Sequence, residues 1–440
     1  MPLHTSSTLL SYFDQSNGVS TDTRKLPPGC MFFALKGPNF NGNVYAAKAL
    51  ELGASFVVVD EEAHCDSRDP RYLLVANVLE ALQGLATLHR RRFEIPIFGL
   101  TGSNGKTTTK ELLYAVMQQE KKVHATHGNF NNHIGVPLTL LAMPRDTEFA
   151  IVEMGANQPG DIAELAKIAE PTHGLITNVG AAHLERLGNL EGVQRTKGAL
   201  FDFLKSHEGL LFVNTADHRV VAAAGKPAHQ VTYGSTESAY WGENLENQIE
   251  GMRLRLHQEG ESVEVHSPLS GEHNAKNIVA SWAVGHHFGL SLASIQRGIA
   301  QYRAENNRSQ VLHRGAFTVW LDAYNANPSS MQAAIDHLTS VDSGKVALIL
   351  GDMYEVGANS PQVHQELGQH ILTRGPQVVI GIGPQMKYLI EALGGLGHWF
   401  ENVSESELQL PQLLAQVDTV LIKGSRAMAL EKVLDYLPSK

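Results

Sequence analysis

The stretch GLTGSNGKTTTKELL, Gly99 to Leu113, decides how the rest of the chain is read. It overlaps a short apolar run, IFGL (Ile97 to Leu100), predicted as a strand, and its second half is predicted helical. Between strand and helix lie Gly102, Ser103, Asn104 and Gly105, while Lys106, Thr107 and Thr108 fall in the first helical turn. Glycines let a backbone approach phosphates closely, so that successive N–H groups and the positive helix end bind them. In such a loop Lys106 reaches the β- and γ-phosphates of a nucleotide, and the Thr107 hydroxyl faces Mg²⁺. The generic pattern asks for Gly at position 100, where Leu100 stands. An ordinary glycine turn with an exposed lysine is the competing interpretation.

Working outward, FAIVEM is predicted as a strand ending near Glu153, GDIAELAKIAEP as a helix and GLITNVG as a further strand. Strands alternating with helices indicate a mostly parallel sheet covered on both faces. MRLRLHQEGESVEVHSPL alternates apolar and polar residues around Gly260, which predicts a hairpin, and AKNIVASWAVGHHFG is an amphipathic helix. Upstream, CMFFAL (Cys30 to Leu35) and SFVVVD (Ser55 to Asp60) are predicted strands, with a helix over VYAAKALELG that stops at Gly53. Val78, Leu82, Leu85 and Leu88 recur at helical spacing, and HRRRFEIP supplies a basic, proline-closed exit. Downstream, Asn306 to Gly315 is a polar joint, after which TVWLDAY, KVALILGD, QVVIGIG and DTVLIKG restart the alternation. The expectation is an α/β protein of three domains. Residues 1–92 form a small N-terminal α/β domain, 93–310 a central P-loop ATPase domain with a parallel sheet, and 311–440 a Rossmann-like C-terminal domain.

Composition supports a globular chain and removes several classes. Of 440 residues, 43% are hydrophobic and 18% charged, which is neither a disordered nor a collagen-like balance. A net charge of −10 without long runs of one sign does not favour nucleic acid or anionic membrane through bulk charge. Only Cys30 and Cys65 occur, so a disulfide framework is not expected and a reducing cytoplasm fits. The first residues lack a basic start followed by an apolar core, and no apolar stretch approaches the ~20 residues that span a bilayer.

The remaining polar residues are ambiguous when taken singly. Glu153 ends an apolar strand, where a P-loop protein commonly places the acid that meets Mg²⁺, directly or through water, and where a solvated carboxylate is also ordinary. His183 lies just beyond the GLITNVG strand, as a metal ligand or merely a loop residue. Lys197 is indistinguishable from a helix-surface lysine. Asn is concentrated in HGNFNNHIGVP (His127 to Pro137), GEHNAKN (Gly271 to Asn277) and DAYNANP (Asp322 to Pro328). Turn formation explains such clusters, and so do amides aimed at a ligand.

Together these segments resemble the Mur ligase family, whose members use ATP to build the peptide stem of peptidoglycan precursors. TGSNGKTT is similar to the family phosphate loop, in which the first Gly is displaced by one position, so Leu100 ceases to be a defect. GNFNNHIGVPLTLL, EMGANQPGDI, TNVGAAHLE, GEHNAKN, DAYNANPSSM, ILGDMYEVG and LIKGSR follow in the family's order. DAYNANP and GDMYEVG point to the member that adds D-alanyl-D-alanine to UDP-N-acetylmuramoyl-tripeptide, a cytoplasmic step in cell-wall biogenesis on which cell shape and division depend. The resemblance implies ATP and two Mg²⁺, with Thr107 and Glu153 on one ion. It places His183 on the second and aligns Lys197 with a lysine that CO₂ carbamylates; Lys106, Glu153, His183 and Lys197 are thus the implied catalytic set. Asn277, Arg308, Asp322 and Asn325 are implied nucleotide contacts. Asn131, Asn132, Asn327, Lys423 and Arg426 are implied substrate contacts, the last two within the KGSR motif.

STDTRKLPPGCMFFALKGPNFNGNVYAAKALELGA resembles the family's first domain, which implies a uridine-nucleotide site lined by Thr23, Arg24 and the loop from Lys36 to Gly42. Ser360 and His364 match a Ser and a His that follow the GDMYEVG motif. The partners implied are the two small-molecule substrates, without nucleic acid or integral membrane contact, and the charge pattern and family suggest a monomer. The C-terminal domain is expected to swing about the joint near Asn306 to Gly315. Neighbouring amide ligases are the near alternatives. The enzyme adding the third residue would carry an aspartate-tyrosine-alanine-histidine-threonine-proline run, and folylpolyglutamate synthase an aspartate-glycine-alanine-histidine-asparagine-proline run, where this chain has DAYNANP. A nucleotide-driven switch would not require His183 and Lys197, and an inactive scaffold would not be expected to keep Lys106, Thr107, Glu153, His183 and Lys197 together.

Overall fold

In the computed structural model, which describes residues 3–341 and 345–437, strand Ile97–Thr101 is buried along its whole length. That burial follows from a strand paired on both edges and covered on both faces. It runs parallel to Phe149–Glu153 on one side and His173–Ile176 on the other. The sheet extends through Val123–Ala125 beyond the first neighbour, and through Leu210–Asn214 and Gln230–Gly234 beyond the second. Strand order therefore reverses at Ile97–Thr101, and in an open parallel sheet a crevice forms at the carboxyl ends of the strands flanking such a reversal.

Side chains of the central strand alternate between two cores. Ile97 faces the one built with helices Gly135–Leu141, Asp161–Ala169 and Leu190–Ser206. Phe98 and Leu100 face the one built with Lys106–Met117, Glu272–His287 and Leu292–Gln301. Three antiparallel strands close the far edge: Tyr240–Gln248, Gly251–Gln258 and Glu261–Ser267, the last two turning at Gly260 as the alternation predicts. Tyr240–Gln248 was hidden in the sequence because its last six residues, ENLENQ, are polar apart from Leu245.

The N-terminal unit is a four-stranded parallel sheet, Val19–Ser20, Met31–Phe33, Phe56–Val59 and Tyr72–Leu74. Helix Val78–Arg90 leaves it and packs on the central unit, so that Leu9, Leu82 and Leu85 share one core with Val136, Leu140 and Ile162. The basic exit is a staple. Buried Arg90 donates from Nε to Ala169 O (3.1 Å) and from Nη2 to Glu170 O (2.8 Å), while Arg92 pairs with Asp14 (2.6 Å). The first two units therefore share a continuous core and a hydrogen-bonded seam.

The C-terminal sheet runs Gln310–Arg314, Phe317–Asp322, Thr419–Lys423, Val346–Gly351, Val378–Ile382 and Gly397–Phe400, parallel except for its first strand. It has two cores of its own, one per face. Residues 310–314, expected to belong to the polar joint, form an edge strand whose side chains are exposed or half-buried. The connection thus narrows to residues 305–309, where Asn306, Asn307 and Ser309 take positive φ. Among the described residues no helix is long and apolar enough to cross a membrane.

Candidate active site

At the strand reversal a cavity of about 710 Å³ opens between the central and C-terminal units. Its floor is the glycine loop, held before any ligand arrives. Ser103 N donates to Asn178 O (3.0 Å), Asn104 N to Asn178 Oδ1 (3.0 Å) and Thr177 Oγ1 to Asn104 O (2.6 Å). Gly102 and Gly105 have φ of 153° and 78°, and a Cβ on Gly105 would come within 2.8 Å of Asn277 Oδ1. Only glycine meets both demands, a left-handed backbone and a close approach. Gly105 is the N-cap of helix Lys106–Met117, and Thr107 and Thr108 are buried in its first turn. Lys106 Nζ donates to Gly102 O (2.8 Å) and Ser103 O (3.3 Å). Burial pulls its ammonium below the ordinary lysine range, with the charge of Glu153 opposing.

Glu153, 1% exposed, ends its strand beside this helix. Its Oε1 accepts from Thr107 Oγ1 (3.2 Å) and Asn131 Nδ2 (2.8 Å), whereas Oε2 is buried without a hydrogen-bond partner. An orphaned carboxylate oxygen beside a hydroxyl is a hard-oxygen set that suits Mg²⁺, an ion usually held by one or two carboxylates together with phosphates. Among the described residues no three His, Cys, Asp or Glu side chains come together as a metal-binding group, so protein side chains alone do not form a cage.

His183 adopts φ 53°, a conformation that costs a non-glycine residue roughly 1–3 kcal/mol and tends to be kept where a side chain must be aimed. Its Nδ1 lies 3.3 Å from Glu355 Oε2. Burial, reinforced by Lys106 and Lys197, pushes the imidazole down to about 4, so it is a neutral lone-pair donor at neutral pH. Lys197, on helix Leu190–Ser206, is 1% exposed and is not among the residues that line the cavity. Burial holds it well below the ordinary lysine range, and Lys106 lowers it further. Among the described residues it forms no ion pair.

The C-terminal unit contributes the roof. Arg308 stacks over the Tyr324 ring, 3.5 Å from its centroid, and both line the cavity. Asn327 Nδ2 donates to Asn104 Oδ1 (2.7 Å), and Asn104 Nδ2 to Ser329 Oγ (2.9 Å), so the phosphate loop touches the roof directly. Asp322 is engaged by Lys423, which also donates to Asn325 O (3.2 Å), and accepts from Ser309 N (3.0 Å). Burial raises the Asp322 carboxyl, but the charge and hydrogen bond of Lys423 outweigh it and the net shift is downward. Lys423→Met would leave a buried carboxylate unpaired, at a cost of about 3–5 kcal/mol. The stabilisation conferred by the pair is present above the ordinary carboxylate pKa and fades as pH falls through the lowered native value. Chemical denaturation at neutral and acid pH should therefore show the variant's deficit shrinking on acidification.

Several expected residues stand elsewhere. Asn132 does not face the cavity; its Oδ1 caps helix Gly135–Leu141, accepting from Ile134 N (3.1 Å) and Gly135 N (2.8 Å). Asn277 lines the cavity, but its amide is engaged by Thr109 (3.1 Å) and Asn274 (3.1 Å) and so braces the phosphate-loop helix. Arg426 pairs with Glu431 (2.7 Å) outside the cavity. His364 and Ser360 are contacts of the Met353–Glu355 loop: Met353 N donates to His364 Nε2 (3.2 Å) and His364 Nδ1 to Ser360 O (2.7 Å). Thr23, Arg24, Lys36 and Gly42 lie in the N-terminal unit, in short turns and a two-stranded ribbon beside its sheet, where Lys36 lies between Asp60 (3.1 Å) and Glu61 (3.3 Å) and Arg24 pairs with Asp22 (2.7 Å). Asp217, Tyr324 and Glu355 line the cavity without having been singled out. Asp217 and Glu355 both follow carboxyl ends of parallel strands, and Tyr324 and Glu355 sit inside the DAYNANP and GDMYEVG motifs, signals that could have found them.

A phosphate loop, an oxygen-donor pair beside it and a roof from a second α/β unit define a nucleotide site built to bring a further substrate to the phosphates. Comparison with known proteins agrees along the chain. Residues 15–90 match the Mur ligase family catalytic domain, 100–285 the Mur ligase middle domain, and 307–426 the Mur ligase glutamate ligase domain. The UDP-N-acetylmuramoyl-tripeptide–D-alanyl-D-alanine ligase of Bacillus subtilis is 34% identical over 96% of this chain and 93% of its own length. The crystal structure of MurF from Acinetobacter baumannii superposes with a TM-score of 0.90 at 28% identity, covering 100% of both chains. MurF ligase from Thermotoga maritima in complex with ADP gives 0.85 at 26% identity, covering 97% of each. The chain belongs to the Mur ligase family.

Proposed function

We propose that this protein is the ATP-dependent ligase that joins D-alanyl-D-alanine to UDP-N-acetylmuramoyl-tripeptide in peptidoglycan synthesis. The observation that carries the proposal is the cavity itself, in which Lys106, Glu153, His183 and the DAYNANP segment from the C-terminal unit meet at one phosphate loop. The relatives named for this reaction match nearly the whole chain.

The tripeptide's terminal carboxylate attacks the γ-phosphorus of ATP, forming an acyl phosphate and releasing ADP. The dipeptide's amine then attacks the acyl carbon; the C–O bond to phosphate breaks, phosphate leaves and the amine gives up a proton. Attack of an anion on a polyanion is repelled, and Lys106, the loop N–H groups and the helix N-terminus counter that charge. Thr107 and Glu153 would hold one Mg²⁺; His183 and a carbamate on Lys197 would hold another, and bound there the ions neutralise phosphate oxygens. Asn104 reaches Asn327 and Ser329, so occupancy of the phosphate loop and closure of the roof are linked. Closure keeps water from the acyl phosphate. The N-terminal unit, fixed to the central one by a shared core, would anchor the uridine end through Thr23, Arg24 and the Lys36–Gly42 loop.

The test is phosphate release from ATP with Mg²⁺, tripeptides ending in lysine or diaminopimelate, and D-alanyl-D-alanine, each component omitted in turn. Release that requires both substrates, with a product heavier by the dipeptide less water, is expected. Release that proceeds equally without the dipeptide, or no release at all, would overturn the assignment.

A further inference from the structure

Four carboxylates line the cavity: Glu153, Asp217, Asp322 and Glu355. Asp217 accepts from the backbone N–H groups of Val179 (2.9 Å), Arg219 (2.9 Å) and Val220 (3.2 Å). Asp322 is committed to Lys423 and Ser309 N, and Glu153 sits almost fully enclosed against the phosphate-loop helix. Glu355 differs from all three. Its Oε2 accepts no hydrogen bond, as Glu153 Oε2 does not, and faces His183 Nδ1 at 3.3 Å, but the Glu355 side chain is 32% exposed where Glu153 is enclosed, so it can be reached from solution.

The loop that carries Glu355 is held firmly. Met353 N is bound by His364, Tyr354 N donates to Ser425 Oγ (3.1 Å) and Ser425 N donates to Asp352 O (3.2 Å). Asp352 Oδ1 in turn accepts from Gln385 N and Met386 N (both 3.1 Å). On the far side Gly357 packs against Glu185, a Cβ there lying 3.4 Å from the Glu185 Cβ. A braced loop that carries a carboxylate in the cavity lining, with one oxygen accepting no hydrogen bond, is arranged to receive a donor.

We infer that Glu355 binds the ammonium group of the incoming dipeptide, an assignment that rests on the ligase function proposed above. The rest of the cavity is equipped for anions, with Lys106 and Arg308 in its lining and the glycine loop at its floor. A substrate that arrives with a positively charged amine needs one acceptor among these cations, and of the two carboxylates that neither a lysine nor a cap engages, Glu153 is enclosed while Glu355 is open to the solvent side. It belongs to the C-terminal unit, so the amine is drawn to the roof and lowered toward the acyl phosphate as the roof closes.

Two nucleophiles separate this role from a general one in the site. The dipeptide brings a charged ammonium, whereas hydroxylamine, largely uncharged at neutral pH, traps the acyl phosphate as a hydroxamate. In Glu355→Gln, loss of a charge-assisted hydrogen bond should lower kcat/KM for D-alanyl-D-alanine about 30-fold, mainly through KM. The ratio of hydroxamate formation to dipeptide ligation should rise by a similar factor. Glu355→Asp, which keeps the charge on a shorter arm, should recover part of the KM and serves if the glutamine variant does not fold. Equal losses with both nucleophiles, or an unchanged KM for the dipeptide, would overturn the assignment. Failure of the unmodified enzyme to form either product would instead overturn the ligase function itself.

Discussion

Lys106→Ala is expected to fold as the parent does and to lose ligation by about 10³-fold, on the order of 4 kcal/mol of transition-state stabilisation. Folding should survive because Lys106 Nζ bonds only to carbonyls of its own loop, Gly102 and Ser103, among the described residues. The loop is shaped instead by Asn178, Thr177 and its two glycines. Catalysis should not survive, because burial already disfavours the ammonium and the nucleotide's phosphates supply the countercharge that makes it worthwhile. Lys106→Arg should rescue little, since the guanidinium is too large and too rigid for a place bounded by the loop backbone. Circular-dichroism melts beside phosphate-release assays check both halves. Near-normal turnover in Lys106→Ala would remove the phosphate loop from the mechanism.

The same loop shows what a sequence makes legible. Gly102, Gly105, Lys106 and Thr107 can be interpreted from local chemistry alone, because strand, turn and helix lie within a dozen residues and each residue type has one evident use there. Glu153 is nearly as legible, since a strand end fixes where a side chain emerges. Asn131 and Asn132 mark the limit. They are adjacent, identical in chemistry and equally suited to a turn, yet one meets Glu153 and the other caps a helix. The difference is one of backbone direction, which no spacing reveals. Gln310–Arg314 was hidden for another reason: an edge strand exposes most of its side chains, so its composition imitates a linker. Glu355 stands in the GDMYEVG motif, but its meeting with His183 depends on tertiary structure, because that neighbour in space comes from another unit 172 positions away by the numbering.

Lys197 supports the second large effect. An almost fully buried lysine whose ammonium is held well below its ordinary range gives up its proton to become the free amine more readily than an exposed lysine does. That is the form that attacks CO₂: the Nζ–C bond forms, one proton passes to solvent, and a carbamate anion replaces a cation. The surroundings favour the exchange. Lys106 disfavours the charge of Lys197 while Glu355 favours it, and among the described residues no acid lies within ion-pair distance of Lys197, so reversing its sign turns the repulsion from Lys106 into an attraction. Enzyme stripped of CO₂ under inert gas should therefore lose activity by about 10²-fold or more, and bicarbonate should restore it over the time carbamate takes to form. Lys197→Met should be inactive with or without bicarbonate while melting as the parent does, because a methionine fills the same buried volume. Carbon-13 bicarbonate offers a readout that does not depend on turnover: a carbamate resonance should appear in the parent protein and be missing from Lys197→Met. Full activity in CO₂-free buffer, with no such resonance, would make Lys197 a packing residue and leave His183 to act without it.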